Sequence, residues 1–213
     1  MIFDLNSIQR NTGIDITGAI HVGAFLGEEL QQYRSLGLAN TILFEPQQHL
    51  YEMVKSKCIF GEWVFNVALG SREDVVSMFI SDREGGVLNG AGASSSILAP
   101  KKHLSEHPEV TFPSKETVVV KRFDKFIEDN EIDITSHNFL NIDVQGYELE
   151  VLKGIGDKLN QIQLIIAEVN RDEMYEGCPM IEDIDSHVAG FGFERLTVHW
   201  QSQSWGDALY VRN

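Results

Sequence analysis

The chain has 213 residues, of which 43% are hydrophobic and 23% are charged, and its formal net charge is −15. No apolar run reaches the roughly 18 residues of a membrane span, and the acidic excess disfavours nucleic acid and anionic membranes as partners. Two cysteines, Cys58 and Cys178, make no disulfide framework, and the charged N-terminal residues do not resemble a signal peptide. We therefore expect one soluble globular domain over 1–213 in a reducing cytoplasm. A homo-oligomer is compatible with this composition.

Strand-like and helix-like segments alternate along the chain. Strands are expected at 19–22, 41–45, 63–69, 75–80, 117–122, 138–143, 162–168, 192–200 and 206–212. Helices are expected at 28–37, 47–57, 123–130, 146–153, where Gly154 would end the helix, and 180–190. This alternation predicts a doubly wound α/β sheet that is mostly parallel, and the last two strands predict an antiparallel C-terminal hairpin.

The segment 82–115 interrupts the alternation. It holds four glycines, three prolines and the run Ser94-Ser95-Ser96. A loop of this length in a compact domain is usually a functional lid, although a surface excursion without function is the alternative. We expect it to cover a ligand site.

The turn after the first strand is the most informative local feature. The strand runs into Gly23, and Gly27 precedes an acidic segment that favours a helix. A dinucleotide fingerprint requires further glycines where this chain has Phe25 and Glu28, and a glutamate there would repel a pyrophosphate. S-adenosylmethionine (SAM) carries no phosphate and bears positive charge. The turn therefore favours SAM over a dinucleotide, and a turn without any ligand is the third interpretation.

Polar residues mark the ends of the predicted parallel strands, which meet at one edge of the sheet. Glu45 ends the second strand, where a carboxylate can accept both hydroxyls of a ribose or, alternatively, cap the next helix. His21 is interpreted as a structural residue or as one edge of the cofactor site. Val67 and Ala68 end the third strand, where an adenine ring could lie against apolar side chains, and a core strand without a ligand is the alternative.

Two further strands are expected to end on carboxylates. Asp143 could bind the methionine ammonium group, act as a base or hold a metal, and its alternative is a helix cap. Glu168 is the second candidate base, and His199 is a third. Together with Asn170, these two carboxylates offer hard oxygen ligands to Mg²⁺ or Ca²⁺. A solvated strand end is the alternative for Glu168.

Several motifs together resemble a known family. They are His21-Val22-Gly23-Ala24-x-x-Gly27, Glu45-Pro46, Asn66-x-Ala68-x-Gly70, Ser94-Ser95-Ser96, Arg122-Phe123-Asp124 and Asn141-Ile142-Asp143-Val144-Gln145-Gly146-Tyr147-Glu148-Leu149-Glu150. The chain resembles the FkbM-type SAM-dependent methyltransferases over residues 18–212. The family commonly has Asp in place of His21 and often Glu in place of Gln145.

The resemblance implies a class I methyltransferase fold with a Rossmann-like sheet and O-methylation of a hydroxyl, often on a saccharide or another natural product. The expected cofactor-binding residues are His21, Val22, Gly23, Ala24, Gly27, Glu45, Pro46, Val67, Ala68 and Asp143. Two alternatives stay open: an NAD-type oxidoreductase, and a binding module without catalytic activity. The acceptor itself is not indicated.

Overall fold

The computed structural model describes residues 3–38, 40–84 and 90–212, which form two β-sheets flanked by helices. The strands are β1 (Ala19–Val22), β2 (Thr41–Phe44), β3 (Glu62–Phe65), β4 (Ala68–Leu69), β5 (Asp74–Arg83), β6 (Val110–Lys121), β7 (Phe139–Ile142), β8 (Leu164–Asn170), β9 (Phe193–Trp200) and β10 (Trp205–Arg212). The helices are α1 (Leu5–Thr12), α2 (Leu30–Ser35), α3 (Gln48–Lys57), α4 (His103–Glu106), α5 (Phe123–Asp129), α6 (Glu148–Ile155) and α7 (Ile181–Ala189).

The larger sheet has seven strands in the order β3-β2-β1-β7-β8-β10-β9. The first five are mutually parallel, whereas β10 runs antiparallel to both β8 and β9. Chain order reverses direction at β1, so the carboxyl ends of β1, β2 and β7 border one crevice. The predicted doubly wound sheet with an antiparallel C-terminal hairpin is confirmed.

Both faces of the larger sheet are covered by helices. Alternate strand residues such as Ile20 and Val22 pack with α5, α6 and α7, whereas Ala19 packs on the other face with α1, α2 and α3. This alternation follows from the two-residue period of a strand and explains why four-residue β1 is buried at every position. Within the described part of the chain, no helix has both the length and the apolar composition needed to cross a bilayer.

The smaller sheet corrects one prediction. The segment 63–69 is not one strand, because β3 ends at Phe65 and β4 joins a three-stranded sheet of order β4-β6-β5. The break follows from Asn66, whose side-chain amide donates to the backbone carbonyls of Glu45 and Pro46 at 3.0 and 2.9 Å. These two hydrogen bonds hold the backbone of Asn66 beside the end of β2, and the residues that follow leave the larger sheet.

Other boundaries also differ from the predictions. Gly154 does not end its helix but lies inside α6, where a Cβ atom would come within 2.0 Å of the carbonyl oxygen of Gly70. Glu168 does not end its strand, because pairing with β10 carries β8 on to Asn170. The N-terminal helix α1 was missed.

The loop expected at 82–115 is shorter than predicted. β5 extends to Arg83, β6 begins at Val110, and α4 lies between them. The long β5–β6 pairing accounts for the difference, because it continues past the hydrophobic cluster that joins the two strands. Part of the predicted loop, 85–89, lies outside the described residues.

Candidate active site

A cavity of about 400 Å³ opens at the carboxyl ends of β1, β2 and β7. This volume is in the range of small-molecule sites. Most of the predicted cofactor-binding residues line it: His21, Val22, Gly23, Ala24, Glu45, Pro46, Val67, Ala68 and Asp143. Gly27, Glu168, Asn170 and His199 are not among the lining residues. Residues that sequence reasoning had taken from separate strands thus share one cavity.

The turn after β1 has an unusual backbone. Gly23 has φ +85°, and a Cβ atom there would lie 1.8 Å from the carbonyl oxygen of Asp143, so the backbone just after β7 requires glycine at this position. Phe25 also adopts positive φ, at +47°. Its N–H donates to Glu45 Oε2 at 2.8 Å, which ties the turn to the end of β2. Gly27 shapes the same turn, since its N–H donates to the carbonyl of Ala24 at 2.7 Å.

Glu45 follows β2 directly and is only 2% exposed. Its Oε2 accepts the N–H of Phe25, and its Oε1 accepts the N–H of Gln47 at 2.8 Å. Burial raises the pKa of this carboxyl to about 7, although these two N–H donors oppose the shift. Each oxygen keeps a second lone pair, so the carboxylate can still accept two hydroxyls from the cavity. The capping contact and a ligand contact are therefore compatible.

A described part of the predicted lid forms one wall of the cavity. Gly92, Ala93, Ser95 and Ile97 line it. Gln47 joins this wall to the end of β2: its Nε2 donates to the carbonyl of Gly92 at 3.1 Å, and its Oε1 accepts the Ser95 hydroxyl at 3.2 Å. The side chain of Gln47 therefore links the two walls on the Glu45 side.

His21 points to the sheet face that α2 covers. Its Nδ1 lies 3.3 Å from the hydroxyl of Tyr33, and Nδ2 of Asn141 donates to the same hydroxyl at 3.4 Å. Burial lowers the pKa of His21, because the neutral ring is favoured in this environment. These contacts describe a neutral histidine at the floor of the cavity.

The segment after β7 forms a tight turn with two residues at positive φ, Gln145 at +57° and Gly146 at +96°. Glu148 holds this turn, since its Oε1 accepts the N–H groups of Val144 and Gly146 at 3.1 and 3.0 Å. The Asp143-x-x-x-x-Glu148 spacing thus places the Glu148 carboxylate where it can bind the backbone of this turn. Glu148 is completely buried and supports the turn that carries Gln145.

Gln145 connects the two predicted catalytic carboxylates. Its Nε2 donates to Asp143 Oδ1 at 2.8 Å and to Glu168 Oε2 at 2.7 Å. Its Oε1 accepts the hydroxyl of Tyr175 at 2.8 Å, which sets the direction of the amide. Ser96 donates to the Gln145 carbonyl at 2.6 Å. The amide therefore occupies the position between the carboxylates that a bridging cation would need.

The two carboxylates differ in access. Asp143 is exposed to the cavity and surrounded by protein on its other sides, and this enclosure raises its pKa to about 6. Glu168 is buried behind Gln145, and burial, followed by the nearby Asp143 carboxylate, raises its pKa well above the usual range. Only Asp143 can touch a ligand in the cavity.

The part of the chain that the structure describes gives no further support to a metal site at Asp143, Glu168 and Asn170. Among the described residues, no group of three or more His, Cys, Asp or Glu side chains is arranged to hold a metal ion. Asn170 is completely buried, and neither atom of its amide has a hydrogen-bond partner in the described part of the chain. Metal dependence therefore stays a prediction that chelation tests.

Sequence reasoning missed several residues of the site. Gln145 was given no role, although its place between Asp143 and Gly146 in a turn motif was a signal. Asp207 lines the cavity from β10, and a carboxylate inside an otherwise apolar strand was the signal there. Gln47 was assigned only to a helix.

The strand order, the glycine turn after β1 and the carboxylate after β2 define a Rossmann-like fold of the class I methyltransferase type. The sequence matches the model of the methyltransferase FkbM domain over residues 21–195. The chain therefore belongs to the FkbM methyltransferase family, and the resemblance noted from its motifs is confirmed.

The chain is also similar to individual known proteins, one in sequence and one in fold. The chain is 32% identical over 114 residues to the 2-O-methyltransferase NoeI of Sinorhizobium fredii (strain NBRC 101917 / NGR234). That alignment covers 54% of this chain and 46% of NoeI, so it spans about half of that relative. The magnesium protoporphyrin IX methyltransferase (ChlM) from Synechocystis PCC 6803, solved with bound SAM, is similar in fold, with a TM-score of 0.51 at 9% identity. That superposition covers 98% of this chain and 76% of ChlM.

Proposed function

We propose that this protein is a SAM-dependent O-methyltransferase that acts on a hydroxyl of a saccharide or another natural-product acceptor. The observation that carries the proposal is one cavity that joins the Gly23 turn, the Glu45 carboxylate and Asp143. Family membership supports methyl transfer, and the name of NoeI supports an oxygen acceptor.

The residues of the cavity fit SAM better than a dinucleotide. Within the described part of the chain, neither lysine nor arginine lines the cavity, and five carboxylates do: Glu28, Glu29, Glu45, Asp143 and Asp207. A pyrophosphate would meet like charge throughout this lining, whereas the ammonium and sulfonium groups of SAM would be attracted. Glu45 would hold the ribose diol, and the apolar Val67 and Ala68 would face the adenine.

In the proposed reaction, Asp143 is the one residue of the chain that acts on the acceptor hydroxyl. Bound SAM would supply an electrophilic methyl group to an acceptor oxygen. Asp143 lies at the cavity and would orient that hydroxyl and accept its proton. Gln145 positions Asp143, and Glu168 positions Gln145 from behind. Orientation of the acceptor and exclusion of water would provide much of the acceleration.

Calorimetry separates this function from its alternatives. We expect the protein to bind SAM and its product S-adenosylhomocysteine (SAH), and not NADH. Turnover of SAM with a panel of hydroxyl acceptors then separates an enzyme from a binding module. Binding of NADH, or SAM binding without turnover of any acceptor, would contradict the proposal at different steps.

Removal of the Glu45 carboxylate should weaken SAM binding. Glu45→Ala loses a charge-assisted bidentate contact of about 2–3 kcal/mol, so the affinity for SAM should fall roughly 30- to 100-fold. Calorimetry on folded protein measures the change. Glu52→Ala, an exposed carboxylate on α3 that does not line the cavity, is the matched control. Equal affinities for the two variants would refute the ribose assignment.

SAM affinity should also depend on pH near neutrality. The pKa of Glu45 is raised to about 7, so the free protein takes up a proton at this site as the pH falls below 7. Ribose binding needs the ionised acceptor, and the affinity should fall about tenfold for each pH unit well below 7. Glu45→Gln should remove this dependence in calorimetry between about pH 6.5 and 8, whereas protonation of Asp143, with a pKa of about 6, contributes at lower pH in both proteins. A slope that persists in Glu45→Gln would assign the proton to another group.

The part of the predicted lid that lies between β5 and β6 is proposed to close over the site when ligands bind. Trypsin should cleave it in the free protein after Lys101, and cleavage should be suppressed in the complex with SAH and an acceptor. Mass spectrometry of the fragments locates the cuts. Equal cleavage in both states would favour a surface excursion without function.

A further inference from the structure

The cavity extends well beyond the position proposed for the ribose. Glu45 follows β2, whereas Asp207 lies on β10, and β1, β7 and β8 separate these strands in the sheet. Neighbouring strands lie about 4.8 Å apart, so four spacings separate the backbones of β2 and β10 by roughly 19 Å. If the ribose lies at Glu45 and the reacting centre at Asp143, the Asp207 end belongs to the acceptor.

Asp207 is part of a row of polar side chains across adjacent strands. It pairs in register with Glu168 of β8 and with His199 of β9, and Asp143 and Glu168 directly follow the paired residues Ile142 and Ala167. Of this row, Asp143 and Asp207 line the cavity.

The side chain of Asp207 is held in place. Nε2 of Gln201 donates to its Oδ2 at 2.7 Å, and burial raises the pKa of the carboxyl. Its Oδ1 has no donor assigned among the described residues and can accept a hydroxyl from the cavity.

His199 lies beside Asp207 on β9 but does not line the cavity, and three lysine or arginine residues of the neighbouring segments are engaged elsewhere. The guanidinium carbon of Arg171 lies 3.5 Å from the centroid of the Trp200 ring. Lys102 pairs with Asp172 at 2.6 Å, and Arg195 pairs with Asp185 at 3.2 Å. None of these three cations lines the cavity. An anionic ligand at the Asp207 end would therefore meet the carboxylates of Asp143 and Asp207, and the described lining provides no lysine or arginine to compensate them.

We infer that the acceptor is an uncharged polyhydroxyl compound, such as a neutral glycoside, and that Asp207 is the residue that rejects anionic acceptors. This inference rests on the proposed function, because it assigns the Asp207 end to the acceptor. Carboxylate oxygens pair with neutral hydroxyl donors and repel a uronate, phosphate or sulfate. Asp207 thus sets specificity without touching the methyl group.

Matched pairs of glycosides test the inference directly. Methyl hexosides and the corresponding methyl hexuronides differ only in a CH₂OH group and a carboxylate. Each pair is titrated into SAH-saturated protein and compared by saturation-transfer NMR at about pH 8, where the carboxyl group of the hexuronide is ionised. We expect binding of at least one neutral glycoside, with its uronide bound roughly 30-fold or more weakly. Turnover with SAM should follow the same order.

Variants of Asp207 show whether this residue is responsible. Asp207→Asn should reduce the discrimination within a pair at least fivefold, and Asp207→Lys should favour the uronide. SAH affinity should change less than threefold in Asp207→Asn. The control is Glu194→Gln on β9, which removes the same charge from an exposed position of the same hairpin and should preserve the discrimination.

The outcomes separate the two levels of the proposal. Absence of SAM and SAH binding would overturn the proposed function itself. If SAH binds but the glycosides of a pair bind equally, the uronides bind better, or no neutral glycoside binds, the inference is overturned and the cofactor assignment stands. Discrimination unchanged in Asp207→Asn would overturn the role of Asp207.

Discussion

Gly23→Val should abolish SAM binding and lower the stability of the whole protein. A Cβ atom at position 23 would lie 1.8 Å from the carbonyl oxygen of Asp143 and 2.8 Å from its carbon. These are backbone atoms just after β7, which cannot move away without breaking the β1–β7 pairing. The φ of +85° adds a strain that a β-branched residue tolerates poorly. We expect no detectable heat of SAM binding and a clearly lower melting temperature.

Gly23→Ala, with Gly37→Ala as its control, distinguishes steric overlap at position 23 from the backbone strain of a positive φ. Gly23→Ala creates the same clash, so it should also fail to bind SAM. Gly37 has a similar φ of +74°, but a Cβ atom there would meet nothing within 4 Å. Gly37→Ala should therefore cost only about 1–2 kcal/mol of unfolding free energy and bind SAM within twofold of the native protein. If Gly23→Ala folds and binds SAM normally, the close approach of β7 is not the reason for glycine at this position.

Local patterns were sufficient to predict the larger sheet. β1 and β7 are short apolar runs that end at a turn residue, so their bounds and the position of Asp143 could be predicted closely. The same holds for Glu45, which follows β2 without an intervening residue. Residues that directly follow a parallel strand are the ones whose place in the fold is easiest to predict.

The errors arose where tertiary contacts determine the local structure. The side chain of Asn66 divides a continuous apolar run between two sheets, and no periodicity indicates this. Gly154 resembles a helix stop, but the close approach of Gly70 requires a glycine within the helix. Asp207 lines the cavity from β10, which is far in sequence from the strands that carry the other site residues. Its position depends on the register of β10 against β8, which sequence patterns do not specify.

The chemistry around Asp143 was also predicted incompletely, although that residue was located correctly. The sequence predicted that Asp143 and Glu168 would act together, but it placed both at strand ends. The structure inserts Gln145 between them, because Glu148 folds the intervening turn and Tyr175 orients the amide. Asp143 is therefore the one of the two that faces a ligand.

Asp143→Asn should lower turnover by about 10²-fold or more, with a much smaller loss of SAM affinity. Oδ1 of Asp143 accepts from Gln145, so Oδ2 is the oxygen left for an acceptor hydroxyl. In the variant, the remaining side-chain oxygen would keep the contact with Gln145, and the introduced NH₂ group would present a donor to the cavity. The substitution thus preserves shape, removes charge and reverses the hydrogen bond that the reaction needs. Single-turnover kinetics and calorimetry separate the two effects.

The pH profile gives a second test of the same role. The pKa of Asp143 is raised to about 6, so the basic form prevails above pH 6 and activity should be lost as the pH falls through 6. This limb should disappear from the residual activity of Asp143→Asn. Glu168→Gln should retain the limb and lose less turnover, because Glu168 acts only by holding Gln145.

Chelation distinguishes a base from a metal ligand at Asp143. Nε2 of Gln145 donates to both carboxylates, and we therefore expect turnover to survive chelator treatment. Activity that is lost with the chelator and restored by Mg²⁺ or Ca²⁺ would instead mean that the amide moves aside for a cation held by Asp143, Glu168 and Asn170. Normal turnover in both Asp143→Asn and Glu168→Gln, measured with an acceptor that the native protein methylates, would leave these carboxylates with a structural role alone. In that case the proton of the acceptor must leave by another route, and the tightly hydrogen-bonded group of Asp143, Gln145 and Glu168 would serve to fix the β7 turn against β8.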